Sequence, residues 1–248
     1  MVILSRSAKS FNNKNIRFVK WDGKTLGDWA HEFDGADAVV NMAGRTVNCR
    51  YTDENKAEIL NSRIDSTQLI GKAIAECKST PKVWINSSSA TYYKDTRGDL
   101  PANDEYNGQT GNDFSMGICQ AWEKAFNESA VPTTVRKIPL RTTIVIGKGG
   151  GAMGPILNLV KGLLGGAQGP GTQFISWVHL HDFARVIDFL IEREDIAGAI
   201  NCAAPNPEQN MDFIRKLRNA SNVPFGMPMP TFLLKFGAIL IQTEVELI

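Results

Sequence analysis

The chain has 248 residues, of which 43% are hydrophobic and 21% are charged, and its formal net charge at pH 7 is +1. This much apolar material supports a large core and argues against a disordered or fibrous chain. The balanced charge provides no global field, so we expect neither nucleic acid nor a membrane as a partner. The four cysteines form no CxxC pair and the three histidines no HExxH motif, which predicts a reduced, cytoplasmic location and no metal site.

Short β-branched segments alternate with longer amphipathic ones, which predicts βα units around a parallel sheet. Strands are predicted at 2–5, 16–20, 38–42, 82–87, 134–138 with an extension through 143–146, and 199–202. Helices are predicted at about 53–77, from an N-cap at Asp113 onward, and at 154–163, 181–193, 210–220 and 230–242. Dense glycine and proline at 147–171 and 224–230 indicate a less regular, substrate-side lobe.

The first predicted strand ends in Ser5, Arg6 and Ser7. In a dinucleotide-binding fold the end of the second strand lies beside the adenosine ribose, where an arginine accommodates the 2′-phosphate of NADP. A planar guanidinium can hold phosphate oxygens in pairs, and flanking hydroxyls can donate further hydrogen bonds. These three residues therefore predict a site for NADP, and the alternative is a solvated arginine in a turn.

Two other predicted strands end in sequences that suit a ligand. The segment 39–44 runs from a buried-type strand into Ala43 and Gly44, whose small size lets a cofactor lie against the backbone. The strand at 82–87 leads into a hydroxyl-rich turn. Because open α/β sheets bind ligands at the carboxyl ends of their strands, Asn41, Ala43, Gly44 and Ser87 are predicted to contact a cofactor.

Seven segments, in this order, carry a family resemblance: ILSRS, WDG, VVNMAG, SSSATYY, RTTIVIG, SWVHLHD and NCAAPNP. Together they resemble the extended short-chain dehydrogenase/reductase superfamily of NAD-dependent epimerases and dehydratases. More narrowly, the chain resembles its atypical epimerase-like subfamily, which has a small C-terminal domain. The resemblance spans almost the whole chain and implies an α/β fold with a doubly wound parallel sheet of Rossmann type.

The resemblance also implies a first strand and a glycine-rich turn that seat the pyrophosphate on a helix N-terminus, and this sequence begins one βα unit later. That strand is central in the order 3-2-1-4-5-6, so the strands at 2–5 and 16–20 are expected to lack a partner that joins them to 38–42. We therefore expect the chain to be part of a longer protein. A GxGxxG does occur at Gly149, Gly151 and Gly154, but no strand-end acidic residue follows at about 20 positions, which argues against a phosphate loop there.

Active members of the superfamily use a serine to polarise the substrate oxygen, and a tyrosine and a lysine four residues apart on one helix as the acid and base. Ser89 matches the serine. Counting back from Glu123, Ser115 stands where the family has tyrosine and Cys119 where it has lysine. A serine hydroxyl is a weaker acid than a phenol, and a neutral thiol cannot lower a neighbour's pKa as an ammonium does. The superfamily's tyrosine–lysine mechanism therefore cannot be assigned unchanged to this chain.

Other residues near the predicted cleft are candidate replacements. Tyr93 is predicted to be catalytic with Ser89, and its alternative is a structural or binding role. Tyr92, Cys119 and His179 are predicted to lie on the substrate side, and a hydrogen-bonded histidine and a small buried cysteine are the simpler alternatives.

Two further polar residues are predicted to bind the cofactor. Asp22 occupies the family position near the adenine, and its alternative is an ordinary Asp-Gly turn. Arg141 follows a predicted strand and could contact an anionic group, and its alternative is a solvated arginine.

The combined prediction places an NADP-binding Rossmann-like domain at 1–146 and a remaining strand, a substrate-side lobe and a partial C-terminal domain at 147–248. The predicted function is NADP(H)-dependent hydride transfer on a small-molecule carbonyl or alcohol. The alternative is a non-catalytic NADP-binding sensor or scaffold. Family members dimerise through the helices that correspond to those starting near 53 and 113, so we also expect a homodimer.

Overall fold

The computed structural model describes residues 1–7, 13–96, 100–148, 151 and 153–234. Within these ranges short strands alternate with helices. The strands are β1 (Val2–Ser5), β2 (Arg17–Lys20), β3 (Ala38–Asn41), β4 (Val83–Ser89), β5 (Arg136–Thr142), β6 (Ile144–Ile146), β7 (Phe174–Ile175), β8 (Trp177–His179), β9 (Ile200–Cys202) and β10 (Glu208–Gln209). The α-helices are α1 (Asp53–Ala75), α2 (Phe114–Asn127), α3 (Met153–Leu159), α4 (Leu180–Glu192) and α5 (Asn210–Ala220).

Side-chain caps fix the starts of the two longest helices. The Thr52 hydroxyl accepts a hydrogen bond from the backbone N–H of Asn55 at 3.2 Å. The Asp113 carboxylate accepts one from the N–H of Met116 at 2.8 Å, which confirms the predicted N-cap of α2. Each bond satisfies a backbone donor that the first helical turn leaves without an intrahelical partner.

Four parallel strands form the main sheet in the order β3-β4-β5-β9. β1 and β2 form a separate parallel pair, and no described strand joins β1 to β3. This separation is the one the sequence predicts. β6 pairs with β8 in parallel, whereas β7 and β10 form a short antiparallel pair.

The side chains of β4 alternate between two cores. Trp84 packs with residues of α1 and α2 on one face, and Val83 and Ile85 pack with Phe183 and Leu190 of α4 on the other. Successive strand residues point to opposite faces of a sheet, so β4 is covered by helices on both sides. This arrangement confirms the predicted Rossmann-type α/β fold.

The structure differs from the sequence prediction mainly in short elements. β7, β8 and β10 are only two or three residues long, too short to show a periodic pattern. β4 continues two residues past its predicted end, to Ser89. From residue 235 onward the predicted helix at 230–242 lies outside the described residues, as does Gly149 of the GxGxxG. The domain boundary near residue 146 stays a prediction.

Two features are absent from the described residues. No helix among them is long and apolar enough to cross a membrane. Nor do they contain a group of three or more His, Cys, Asp or Glu side chains placed to hold a metal ion.

Candidate cofactor and substrate site

A depression of about 280 Å³ lies at the carboxyl ends of β1 and β2. Its polar lining comes from Ser5, Arg6, Ser7 and Lys20. The Arg6 side chain is exposed, and none of the ion pairs among the described residues includes it. The depression, which we call the rim site, therefore offers two cations and two hydroxyls to a ligand.

Asp22 closes a turn directly after β2. Its carboxylate accepts hydrogen bonds from the Thr25 hydroxyl at 2.5 Å and from the backbone N–H groups of Lys24 and Thr25 at 2.8 and 2.9 Å. These hydrogen bonds lower the pKa of Asp22 to about 2, and the bond from the Thr25 hydroxyl contributes most. Gly23 has a φ of +75°, which glycine adopts without steric cost. The Asp-Gly turn is thus present, and contact between Asp22 and an adenine stays a prediction.

Asn41 ends β3 and lies in a buried polar network. Its Nδ2 donates to Asn86 Oδ1 at 2.6 Å and to the Thr67 hydroxyl at 3.3 Å, and its Oδ1 accepts from the N–H of Ala43 at 3.0 Å. The Trp122 indole N–H donates to the same Thr67 hydroxyl at 2.9 Å. Because Asn41 is only 2% exposed, its side chain shapes the turn after β3 from inside the protein.

Ser89 is the last residue of β4, and a line of polar side chains joins it to α2. Its hydroxyl oxygen lies 2.5 Å from that of Thr91 and also accepts the Thr91 backbone N–H at 3.2 Å. The Thr91 hydroxyl in turn lies 3.7 Å from the sulfur of Cys119. Burial raises the pKa of the Cys119 thiol, so the position that carries lysine in the related family holds a neutral group here.

Arg141 on β5 forms a buried ion pair with Glu123 on α2. Its Nε and Nη2 donate to the two carboxylate oxygens at 2.9 and 2.7 Å, and both side chains are less than a tenth exposed. The Ser88 hydroxyl donates to the same carboxylate at 2.6 Å. The solvated alternative for Arg141 is therefore wrong. The contact of Arg141 with a ligand anion stays a prediction, and an intramolecular carboxylate fills this edge of the guanidinium.

Tyr93 extends the same network. Its hydroxyl accepts a hydrogen bond from Arg141 Nη1 at 2.7 Å and donates one to Asn201 Oδ1 at 2.8 Å. The Arg141 guanidinium lies 3.7 Å from the centre of the Tyr92 ring, within the range of a cation–π contact. Both tyrosines are thus held against β5 and β9, and a catalytic role for Tyr93 stays a prediction.

His179 lies on the wall of a second cavity of about 540 Å³, which we call the apolar cavity. Ile146, Met153 and Leu157 supply most of its apolar lining, and Lys148 is its cationic member. His179 ends β8, and its Nδ1 accepts the backbone N–H of His181 at 3.2 Å. The hydrogen-bonded alternative for this histidine is therefore present.

The candidate residues fall into four groups, one of which consists of Asn41, Ala43 and Gly44 at the end of β3. The largest surrounds the end of β4 and contains Ser89, Tyr92, Tyr93, Cys119 and Arg141. The rim site belongs to the β1–β2 pair and His179 to the β6–β8 pair. The sequence prediction missed the partners that fix the first group, namely Thr91, Glu105, Glu123 as an ion-pair partner, and Asn201. Thr91 and Asn201 lie in the SSSATYY and NCAAPNP segments and Glu123 ends the family's helix pattern, but none of these signals indicated the contacts.

Comparisons with known proteins agree with this architecture. A model of the NAD dependent epimerase/dehydratase family matches residues 1–203. The chain is 30% identical to the epimerase family protein YfhF of Bacillus subtilis (strain 168), over 94% of this chain and 75% of that protein. It is 32% identical to the epimerase family protein SAR0825 of Staphylococcus aureus (strain MRSA252), over 95% and 77% of the two chains.

A solved structure is similar over nearly the whole chain. It is the human epimerase family protein SDR39U1 (isoform 2) with NADPH, at 27% sequence identity and a TM-score of 0.80. The match covers 98% of this chain and 80% of the human one. The fold and the order of its elements are therefore shared with an NADPH complex.

Proposed function

Because the chain belongs to the NAD dependent epimerase/dehydratase family, we propose that it binds NADP(H) and transfers hydride to or from a carbonyl or alcohol carbon of a small molecule. The rim site with its unpaired Arg6 is the observation that carries the proposal. The human relative solved with NADPH supports the choice of cofactor.

The residues of the rim site fit a 2′-phosphate. A guanidinium can grip two phosphate oxygens, and Ser5 and Ser7 can donate from either side of Arg6. Because Arg6 is exposed and in no ion pair of the described residues, a phosphate can approach without displacing an existing carboxylate. Lys20 adds a second positive charge at the end of the neighbouring strand.

We assign to Ser89 the role of hydrogen-bonding the substrate oxygen. It lies at the carboxyl end of a parallel strand, where ligands bind in open α/β sheets. Its bond with Thr91 holds the hydroxyl in place, and Ser89 can then donate to a carbonyl oxygen. The nicotinamide ring supplies the hydride chemistry when the cofactor is bound.

Tyr93 is the proposed proton donor. To act in this way it must exchange its hydrogen bond with Asn201 for one with the substrate, while Arg141 keeps the hydroxyl in place. We propose that Ala43, Gly44 and Ser87 line the cofactor. Tyr92, Cys119 and His179 would then face the substrate, and the apolar cavity beside His179 falls in the size range of small-molecule sites.

A second candidate function is a non-catalytic NADP(H)-binding sensor or scaffold. The neutral, buried thiol of Cys119 and the occupied hydroxyl of Tyr93 favour it, because neither supplies an acid–base pair ready for proton transfer. A panel of sugar nucleotides, ketones and aldehydes separates the two functions. Turnover of any of them supports the enzyme, and NADPH binding without turnover supports the sensor.

Calorimetric titration with NADPH tests the cofactor site. Arg6→Asp replaces the phosphate-binding cation with a repelling charge and is expected to weaken NADPH binding by about tenfold or more. Lys14→Asp is the matched control, since it makes the same charge change on an exposed residue before β2, at the opposite end of the β1–β2 pair from the rim site. Equal NADPH affinity in the wild type and in Arg6→Asp would contradict the assignment of Arg6 to the 2′-phosphate.

Self-association is a separate proposal. We propose that a homodimer would use α1 and α2, and light scattering during gel filtration would measure the mass. The exposed side of α1 carries Asn61, Asp65, Gln68 and Lys72, so such an interface would be polar. A monomeric mass at micromolar concentration would contradict the dimer.

A further inference from the structure

Arg63, in the middle of α1, is a half-buried cation that no acidic side chain neutralises. It is absent from every ion pair among the described residues. Its neighbour Arg45 differs, since that guanidinium pairs with Glu58. Burial lowers the pKa of Arg63, which means that the protein desolvates this charge without supplying a carboxylate. Such a charge favours an anion from outside.

One edge of the Arg63 guanidinium is open. Nη1 donates to the backbone carbonyl oxygens of Arg45 and Ile59 at 3.1 and 2.9 Å. Nε and Nη2 donate to no described residue, and neither is among the buried side-chain nitrogens without a partner, so both face solvent-accessible space. Nε and Nη2 form the edge with which arginine holds a carboxylate or a phosphate through two parallel hydrogen bonds.

The surroundings hold this edge in place. The guanidinium lies over the Trp122 ring at 5.1 Å from its centre, and the bond to Thr67 fixes that indole. On another side is Gly44, where an added Cβ would stand 3.3 Å from Cζ of Arg63 and 3.5 Å from its Nε. The glycine thus leaves room for the guanidinium, and a fixed donor pair loses little entropy on binding.

Arg63 lies near the residues assigned to the reaction. Gly44 follows β3 at its carboxyl end. The charge of Arg63 influences the pKa of Cys119, and that thiol contacts Thr91, the hydrogen-bond partner of Ser89. The other charged groups here are the ion pairs of Arg45 with Glu58 and of Arg141 with Glu123, and the exposed Lys94 that follows Tyr93. In the part of the chain that the structure describes, Arg63 is therefore the partly buried arginine beside this group of residues that has no carboxylate partner.

We propose that Arg63 binds a carboxylate or phosphate group of the substrate, so that the substrate is an anionic carbonyl or alcohol compound. The inference rests on the proposed function for the identity of the reacting group. Anion binding by Arg63 can nevertheless be measured without turnover and without cofactor.

Titration calorimetry with malonate and with inorganic phosphate tests the inference. All proteins carry Arg6→Asp, so that the rim site does not bind the same anions. Arg63→Gln removes the open edge and is expected to weaken binding of at least one anion by about tenfold or more. Arg63→Lys keeps the charge without the paired donors and should give an intermediate loss. Arg215→Gln, at an exposed arginine of α5, is the matched control and should change nothing.

Gly44→Ala provides an independent variant that keeps the Arg63 charge. Its methyl group would crowd the guanidinium, so we expect anion binding to weaken severalfold with little change in fold. Circular dichroism and melting temperatures check that each variant folds. Equal anion affinities with and without Arg63→Gln would overturn the inference, as would no detectable binding of either anion to the Arg6→Asp parent.

NADPH titration, with Arg6 intact, identifies the source of the anion. Unchanged NADPH affinity in Arg63→Gln assigns the anion to the substrate. A loss of NADPH affinity as large as the loss of anion affinity would assign it to the cofactor and overturn the proposal. If NADPH does not bind even the wild type, the proposed function fails, whereas the malonate and phosphate titrations still decide the role of Arg63.

Discussion

Two arginines near the carboxyl ends of parallel strands occupy opposite environments. Arg6 follows β1, is exposed and faces the rim site, and no ion pair of the described residues includes it. Arg141 lies in β5, is 6% exposed, and gives three of its donors to Glu123 and Tyr93. The sequence predicted a ligand-binding role for both. We therefore expect that strand-end position alone does not identify a binding arginine, and that the deciding property is whether an internal carboxylate already neutralises its charge.

The two arginines are also expected to contribute differently to the stability of the fold. A buried charge is tolerated only when it is paired and hydrogen-bonded, so the interaction of Arg141 with Glu123 is part of the folded core. An exposed charge contributes little to stability and remains available to ligands. The region around β4 and β5 is accordingly expected to control folding, and the region around β1 and β2 to control cofactor affinity.

The largest expected effect is that of breaking the buried pair. Glu123→Gln leaves Arg141 buried without a countercharge and should lower the free energy of unfolding by about 3–5 kcal/mol. Urea denaturation followed by tryptophan fluorescence measures it. Asp195→Asn is the matched control, because it breaks an exposed pair with Arg193 and should cost less than about 1 kcal/mol. Similar losses in the two variants would contradict the comparison.

Removing the Tyr93 hydroxyl should have a smaller effect. Tyr93→Phe deprives Arg141 of an acceptor and Asn201 of a donor, both partly buried, so we expect a loss of about 1–3 kcal/mol in the free energy of unfolding. Tyr106→Phe serves as the control, since that side chain is 93% exposed. An unchanged denaturation midpoint in Tyr93→Phe would show that the network does not extend to this tyrosine.

Alkaline pH should weaken the sheet region through Cys202 on β9. Burial raises the pKa of this thiol to about 11 from its ordinary value of 9.0. The unfolded chain therefore loses this proton at a lower pH than the folded protein does. The stability that the protonated Cys202 thiol contributes is lost as pH rises from about 9 to about 11. Urea denaturation at several pH values should show a shallower decline in Cys202→Ala than in the wild type.

Cys49→Ala is the control for that measurement, because Cys49 is only partly buried and lies outside the sheet. Its denaturation profile should follow the wild type across the same pH range. If Cys202→Ala follows the wild type as well, the thiol is not protected from ionisation in the folded protein.

The smallest expected effect on stability is at the rim site. Arg6→Asp changes an exposed residue outside any ion pair of the described residues, so the free energy of unfolding should stay within about 0.5 kcal/mol of the wild type. Urea denaturation of the variant used for NADPH titration provides the value. A loss of more than about 1 kcal/mol would mean that Arg6, like Arg141, has a structural role.

The fold could be predicted largely from the sequence, because the long elements carry strong patterns. Alternating β-branched and amphipathic segments indicated β3, β4, α1 and α2. The separation of β1 from β3 followed from the family resemblance, which implies a central strand that precedes β1. β7 and β10 escaped prediction because pairing between distant segments, rather than local periodicity, creates strands of two residues.

The candidate site was predicted only in part. Ser89 and the residues of the rim site carried motif-level patterns. The partners of Arg141, by contrast, lie 18 and 48 residues away along the chain, and no local pattern reveals such contacts. For the same reason no local pattern indicated that Arg63 lies against Gly44 and Trp122.

The ratio of NADPH to NADH affinity tests the central claim most directly, because the two cofactors differ only at the 2′-phosphate. We expect the wild type to bind NADPH at least about tenfold more tightly than NADH. In Arg6→Ala the two affinities should become nearly equal, with NADH affinity unchanged. Equal affinities in the wild type, or a preference for NADPH that survives Arg6→Ala, would contradict the assignment of Arg6.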